Sequence, residues 1–216
     1  MIDIVIAFDK DDWYIESESG LGLFYDSCAK QMQEFIFLNF SHKLHMISGN
    51  DLNEIEVEKI LAKTISNHTF VAYSHGKNDA LLYDNQQKEY LSKTTKLQNI
   101  QGGLFYTWSC YSGIDLGEHL VQNSYQTFIG YKDWVVGIST IGSISQRYID
   151  CTNAGLIAFI NGATALEALR IMYDTYSNQI DELENISDYL IQAHFSRNRN
   201  ALVIFGNENL VITNLV

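Results

Sequence analysis

Short apolar runs alternate with amphipathic stretches along most of the chain. The runs are rich in β-branched or aromatic side chains, which is typical of strands buried on both faces. We predict strands at residues 2–8, 44–47, 69–73, 103–108, 126–131 and 201–205, with 210–212 beside the last. Apolar residues at helical spacing predict helices over residues 20–38, 55–65, 114–122, 145–159 and 164–176. The more polar residues 77–101 are expected to hold a small hairpin at 80–83 and 89–91.

This alternation of strands and helices predicts an α/β fold with a mainly parallel sheet and helices on both faces. The chain has 216 residues, enough to bury roughly 70% of the surface that the unfolded form exposes. Because nothing in it resembles a linker or a repeat, we expect a single domain over residues 1–216. For the helix that begins near residue 54, the apolar face is predicted to be Ile55, Val57, Ile60, Leu61 and Ile65.

Charge and composition narrow the classes of partner. The formal net charge is −12, with 26 acidic and 14 basic side chains, and such a field repels a phosphate backbone, so no nucleic-acid partner is expected. The acidic excess serves solubility or attracts a basic substrate. No apolar run reaches the roughly 18 residues that span a bilayer, and the N-terminus lacks a secretory signal, so we expect no membrane association. Three cysteines without a CxxC motif indicate free thiols and a cytoplasmic protein.

Two chemically reactive side chains follow successive predicted strands. His75 comes directly after the strand at 69–73, and Cys110 directly after the strand at 103–108. The carboxyl ends of parallel strands meet at one edge of the sheet, where ligands bind. A thiol is nucleophilic as its thiolate, so it needs a base nearby or a positive field. We therefore predict Cys110 as nucleophile and His75 as base, with the helix after Cys110 lowering the thiol pKa and the N–H groups of Gly76 and Cys110 as an oxyanion hole.

Simpler interpretations exist for both residues. Cys110 is also compatible with an inert buried thiol, although its position at a strand end favours the catalytic interpretation, and a His-Gly pair occurs in ordinary turns. Cys28 and Cys151 lie on predicted helix faces and are expected to be packed. His42 and His45 have no third ligand at suitable spacing, so neither a metal nor another cofactor is expected.

At these positions the chain resembles the caspase-like cysteine peptidases, which include caspases, metacaspases and gingipains. The motifs are Ser74-His75-Gly76 and Ser109-Cys110-Tyr111-Ser112-Gly113, each at a predicted strand end. Residues 128–131 and 162–168, further along, are similar to bacterial CHAT-type proteases. The resemblance covers about residues 1–175. It implies a caspase-like open, mostly parallel sheet of about six strands with helices on both faces.

The resemblance also implies an activity and its partners. The implied activity is metal-free cleavage of a protein or peptide substrate by a Cys-His dyad. The implied control is by a regulatory protein partner or by cleavage within residues 77–101. The target is expected to be one specific protein, as in antiviral defence or cell-death systems. Two alternatives remain, namely an inactive interaction module and a cysteine hydrolase of a small amide or ester.

Carboxylates near the predicted site suggest a substrate preference. Caspases use an arginine soon after the first strand, where this chain has acidic residues, and metacaspases have an acidic residue where this chain has Trp108. The predicted substrate pocket consists of Asp9, Asp11, Asp12, Trp108, Asp133 and Trp134. The buried arginine that the caspase preference for Asp needs is not expected in this region, so we predict cleavage after Arg or Lys first, after a medium apolar residue second and after Asp least.

Overall fold

Six strands form one twisted sheet in the computed structural model, which describes residues 2–11, 20–64, 67–84, 86, 88–97, 99–138, 142–185 and 188–215. The strand order is β2-β1-β3-β7-β8-β9, and every neighbouring pair is parallel except β8 with β9. A second, three-stranded antiparallel sheet has the order β4-β5-β6. The strands are β1 (Asp3–Phe8), β2 (Lys43–Ser48), β3 (His68–Tyr73), β4 (His75–Lys77), β5 (Ala80–Tyr83), β6 (Lys88–Ser92), β7 (Gly102–Trp108), β8 (Tyr125–Tyr131) and β9 (Leu202–Gly206).

Helices cover both faces of the main sheet. They are α1 (Gly22–Asn39), α2 (Glu54–Leu61), α3 (Leu116–Asn123), α4 (Ser143–Ile160), α5 (Ala165–Asn185) and α6 (Tyr189–Ala201). One apolar layer packs α1, α4, α5 and α6 against the sheet, and the other packs α2, α3 and the small sheet against the opposite face. Every residue of β1, β3 and β7 is buried as a result, which explains why these strands are almost continuously apolar.

The predicted α/β class and the mostly parallel sheet of about six strands with helices on both faces are confirmed, and the main differences lie near the C-terminus. α6 was not predicted, because its apolar side chains are few and are separated by polar ones. β9 was predicted correctly as a strand, and it runs antiparallel to β8. Residues 210–212 form no strand; a short 3-10 turn covers Ile212–Leu215 instead.

The observed buried face of α2 differs from the predicted one. Ile55 was placed on the buried face of α2, but 74% of it is exposed, and Ile65 lies outside the described residues. The side chain of Asn53 caps α2 by accepting the Glu56 N–H at 3.1 Å. Across the described helices, none is long and apolar enough to cross a membrane.

Candidate active site

Parallel pairing of β3 with β7 brings the two predicted dyad residues to one edge of the sheet. Tyr73 is paired with Trp108 at the end of the two strands, and His75 and Cys110 each follow two residues later. The backbones meet here, since a Cβ atom at Gly76 would lie 2.6 Å from the Cys110 carbonyl oxygen. Only glycine permits this approach.

The side chains of His75 and Cys110 lie on the same face of the sheet. The His75 ring meets the ring of Tyr25, on α1, edge-on at 5.7 Å between centroids. Cys110 packs against the apolar layer that contains Tyr25 and Trp108. This agrees with the alternation of side chains along a strand, which sends residues two apart to one face.

Backbone groups of the segment after β8 hold the Cys110 thiol. The Val135 N–H donates to Sγ at 3.3 Å, and the thiol faces the Val135 carbonyl oxygen at 3.7 Å. Burial raises the pKa of Cys110; the Asp133 carboxylate adds to this, while the N–H groups of Val135 and Cys110 and the Arg197 guanidinium act in the opposite direction. This arrangement therefore favours the neutral thiol over the thiolate on balance.

The helix after Cys110 begins later in the chain than predicted. α3 starts at Leu116, and the N–H groups of Asp115 and Leu116 donate to the Asn78 carbonyl oxygen at 3.1 and 2.8 Å. These N–H groups are therefore already paired, and an effect of the helix on the Cys110 pKa stays a prediction.

The turn after Cys110 is fixed to β8. Tyr111 has a left-handed backbone with φ of 57°, and its N–H donates to the Asp133 carbonyl oxygen at 3.1 Å. The Gly113 N–H donates to the Tyr131 carbonyl oxygen at 2.8 Å. Left-handed conformation in a non-glycine residue costs free energy and is concentrated at functional sites, so this turn is held by its surroundings.

Hydroxyl groups on the opposite face of the sheet join the residues that precede the two dyad positions. The Ser74 hydroxyl donates to the His75 carbonyl oxygen at 3.0 Å, and it lies 2.8 Å from the Tyr90 hydroxyl on β6 and 3.4 Å from the Ser109 hydroxyl. Thr107 also donates to Ser109, at 2.9 Å. These buried contacts connect β3, β7 and the small sheet directly beneath the candidate site.

The acidic residues of the predicted substrate pocket do not converge. Asp9 is 2% exposed, its N–H donates to Tyr73, and its charge acts on the buried Tyr90 hydroxyl. The Asp11 carboxylate lies beside Gly49, which follows β2, three strands away from β7. Asp12 lies outside the described residues. Of the carboxylates after β1, the two described ones, Asp9 and Asp11, therefore do not form a pocket next to Cys110.

Trp108, Trp134 and Asp133 also do not form the substrate pocket in the predicted way. Trp108 is 1% exposed and packs edge-on against Phe24, so it belongs to the core. Asp133 and Trp134 do lie near the site, but both contact Arg197 of α6. The guanidinium stacks on the Trp134 ring at 4.0 Å and lies 3.5 Å from the Asp133 carboxylate. Arg197 is 39% exposed, so it is not the buried arginine whose absence was expected, but its ion pair means that Asp133 is not a free acidic pocket.

Sequence reasoning missed α6 as a contributor to the site. Besides Arg197, this helix supplies Asn198, whose side chain is fully buried and bonds Val136, the residue after Val135. A signal was present, since Asn198 occupies the same helical face as the buried Phe195 and Ala201. A polar residue on a buried helical face requires a hydrogen-bond partner.

Similarity to known proteins is found in the structure of this chain and not in its sequence. No protein-family model and no curated protein matches the sequence. The structure is similar to caspase-1 from Spodoptera frugiperda (TM-score 0.54, 12% identity, covering 94% of this chain and 86% of that one). It is also similar to the Arg-specific cysteine proteinase gingipain R (TM-score 0.52, 11% identity, 97% of this chain and 46% of that one).

A complex of the pro- and mature domains of Porphyromonas gingivalis RgpB gives a comparable match (TM-score 0.53, 12% identity, 97% and 48%). The chain spans about half the length of these two gingipain chains. It therefore has the fold of the caspase-like cysteine peptidases.

Proposed function

We propose that this protein is a cysteine endopeptidase with Cys110 as the nucleophile and His75 as the general base. The observation that carries the proposal is the position of the two side chains, which follow neighbouring parallel strands on the same face of a caspase-like sheet. An inert structural cysteine has no need of this placement at a carboxyl edge.

In the proposed reaction, His75 takes the thiol proton and Sγ forms a bond to the carbonyl carbon of the substrate. The oxyanion accepts hydrogen bonds from the N–H groups of Gly76 and Cys110. In the described chain, the Cys110 N–H donates to no backbone oxygen, which supports this role. The C–N bond then breaks as His75 protonates the leaving amine, and water hydrolyses the thioester with His75 as base.

The contact of the half-buried thiol with Val135 supports the proposal that activity is regulated. A protonated sulfur held against Val135 must be released before it can attack, so a protein partner or cleavage within residues 77–101 is proposed to release it. One specific protein target, a CHAT-type relationship and a role in bacterial defence or cell death complete the proposal. These last points rest on family-level analogy.

Two single substitutions test the dyad. Cys110→Ala should abolish both peptide cleavage and labelling by a peptidyl acyloxymethyl ketone, with little change in thermal stability because little volume is removed. His75→Ala should leave a small residual rate from the oxyanion donors and substrate binding. Labelling is read by mass spectrometry of the intact protein and of its peptides.

A buried cysteine provides the control. Cys151→Ala should remain active, since Cys151 is fully buried in α4. Activity that survives in Cys110→Ala would disprove the proposal. A wild-type protein that no peptidyl ketone labels, even after an activating cut between residues 77 and 101, would instead indicate an inactive interaction module. Hydrolysis of small amides or esters without peptides would indicate the third candidate.

A further inference from the structure

The fully buried side chain of Asn198 bonds both polar groups of one residue in the segment that covers the Cys110 thiol. Its Oδ1 accepts the Val136 N–H at 2.8 Å, and its Nδ2 donates to the Val136 carbonyl oxygen at 2.8 Å. An amide side chain that makes both bonds replaces the pairing that a neighbouring strand would provide. α6 thereby fixes the part of this segment that continues past the end of β8.

The residue before Val136 makes the contact with sulfur. Val135 is 4% exposed and packs in the same apolar layer as Cys110, and its N–H and carbonyl group both face Sγ. The Val135 carbonyl and the Val136 N–H belong to one planar peptide unit, so fixing Val136 also fixes the carbonyl that faces the thiol. The Val135 N–H belongs to the preceding unit, whose carbonyl oxygen on Trp134 accepts from Arg197. The chain of contacts thus runs from Asn198 through Val136 and Val135 to Cys110.

Arg197 secures the outer end of the same segment. Its Nε donates to the Trp134 carbonyl oxygen at 3.4 Å, and its guanidinium stacks on the Trp134 ring. Arg197 is partly exposed, whereas Asn198 is wholly buried. Of the two, the Asn198 bonds are therefore the stronger constraint, since buried groups lose most when a partner is removed.

We infer that Asn198 is a positioning residue that keeps residues 135–136 closed over Cys110 and thereby controls access to the thiol. The inference deepens the proposed function, because it takes Cys110 as the reacting group and identifies what must move to expose it. A partner that displaces α6 from this segment would release the sulfur. α6 is therefore the element that a regulatory partner would have to displace.

Alkylation of the three cysteines with iodoacetamide tests this inference without any peptidase assay. Asn198→Ala removes both bonds to Val136, and Asn198→Leu removes them while keeping a branched side chain of similar shape. Because both bonds that fix Val136 are lost, Cys110 alkylation at fixed pH should become about tenfold faster or more in both variants. Rates are measured for each cysteine by peptide mass spectrometry.

Cys28 and Cys151 serve as internal controls, since both are fully buried in other parts of the helical layer. They should stay protected in both variants while Cys110 reacts. Asn200→Ala is the matched control on the same helix, where the side chain is exposed, and it should react like the wild type. The inference is disproved if Cys110 reacts at the wild-type rate in both variants. Equal acceleration of all three cysteines would also overturn it, because Asn198 would then support the whole fold.

Neither result bears on the dyad itself, which the Cys110→Ala and His75→Ala substitutions test separately. Release should have a further consequence if the dyad is active. The Asn198→Leu variant should then label faster than the wild type with a peptidyl acyloxymethyl ketone. Acceleration with iodoacetamide but not with the ketone would support the positioning role and count against the peptidase.

Discussion

The state of the Cys110 thiol is decided by groups that lie far from it in the sequence. Burial raises its pKa most, and the N–H groups of Val135 and of Cys110 itself oppose this shift. The remaining charges are Asp133, which raises the pKa, and Arg197, which lowers it. Because the thiolate is the reactive form, alkylation should keep rising with pH beyond about 8.5, where an ordinary thiol begins to level off.

Asp133→Asn should move this pH profile toward lower pH. The substitution removes a negative charge that raises the Cys110 pKa. It also removes the ion-pair partner of Arg197, whose positive charge lowers the same pKa. Both side chains are partly exposed, so the alkylation rate at pH 7 should rise by only about twofold. The rate is followed from pH 6 to 10, and the high-pH plateau should not change.

Asp174→Asn on the exposed face of α5 is the control for a general loss of negative charge. A profile of Asp133→Asn that stays in place or moves to higher pH would contradict the electrostatic account. Raising the salt concentration should reduce the difference between variant and wild type, because exposed charges are screened.

Among the elements, the small antiparallel sheet grows directly out of the candidate site. β4 begins at His75 itself, and β6 contributes Tyr90, whose hydroxyl meets Ser74. Burial raises the pKa of Tyr90, so the phenol stays neutral and acts only as a hydrogen-bonding group. The small sheet therefore supports the ends of β3 and β7 from the face opposite the dyad.

Tyr90→Phe should destabilise the protein by about 1 kcal/mol, since it removes one buried hydrogen bond and leaves the ring in place. The free energy of unfolding is measured in urea. Tyr83→Phe is the matched control: its ring packs edge-on against Tyr90 at 6.3 Å, and its hydroxyl makes no hydrogen bond in the described chain. Equal losses for the two variants would show that the hydroxyl contacts beneath the site contribute nothing.

Local patterns in the sequence predicted the strands that consist mostly of apolar residues. β1, β3, β7 and β8 have this pattern because both faces of the sheet are covered. The predicted positions of His75 and Cys110 depend on the ends of two of these strands. α6 could not be predicted in this way, because only Phe195, Asn198 and Ala201 of its residues are buried. Its Arg197 enters the site through tertiary packing, which no local pattern records.

The substrate pocket could not be predicted for a related reason. Asp9, Asp11 and Asp133 are close to strand ends in the sequence, but strand order decides which ends are neighbours. β1 lies between β2 and β3, so Asp11 turns toward Gly49 and away from β7. Asp9, Asp11 and Asp133 therefore give no local basis for the predicted preference for Arg or Lys at the cleavage site, and a preference for basic substrates can instead arise at longer range.

The net charge of −12 is a property of the whole molecule that can favour basic substrates at long range. A field of this size raises the encounter rate of cationic ligands and is screened by salt. Two peptides with the same cleavage site, one with distal lysines and one with distal glutamates, should differ by about tenfold in kcat/KM at low ionic strength in favour of the lysine peptide. The difference should disappear near 0.5 M salt, where the Debye length is only a few ångströms. A preference that persists at high salt would instead require a local acidic pocket, in contradiction to the ion pair of Asp133 with Arg197.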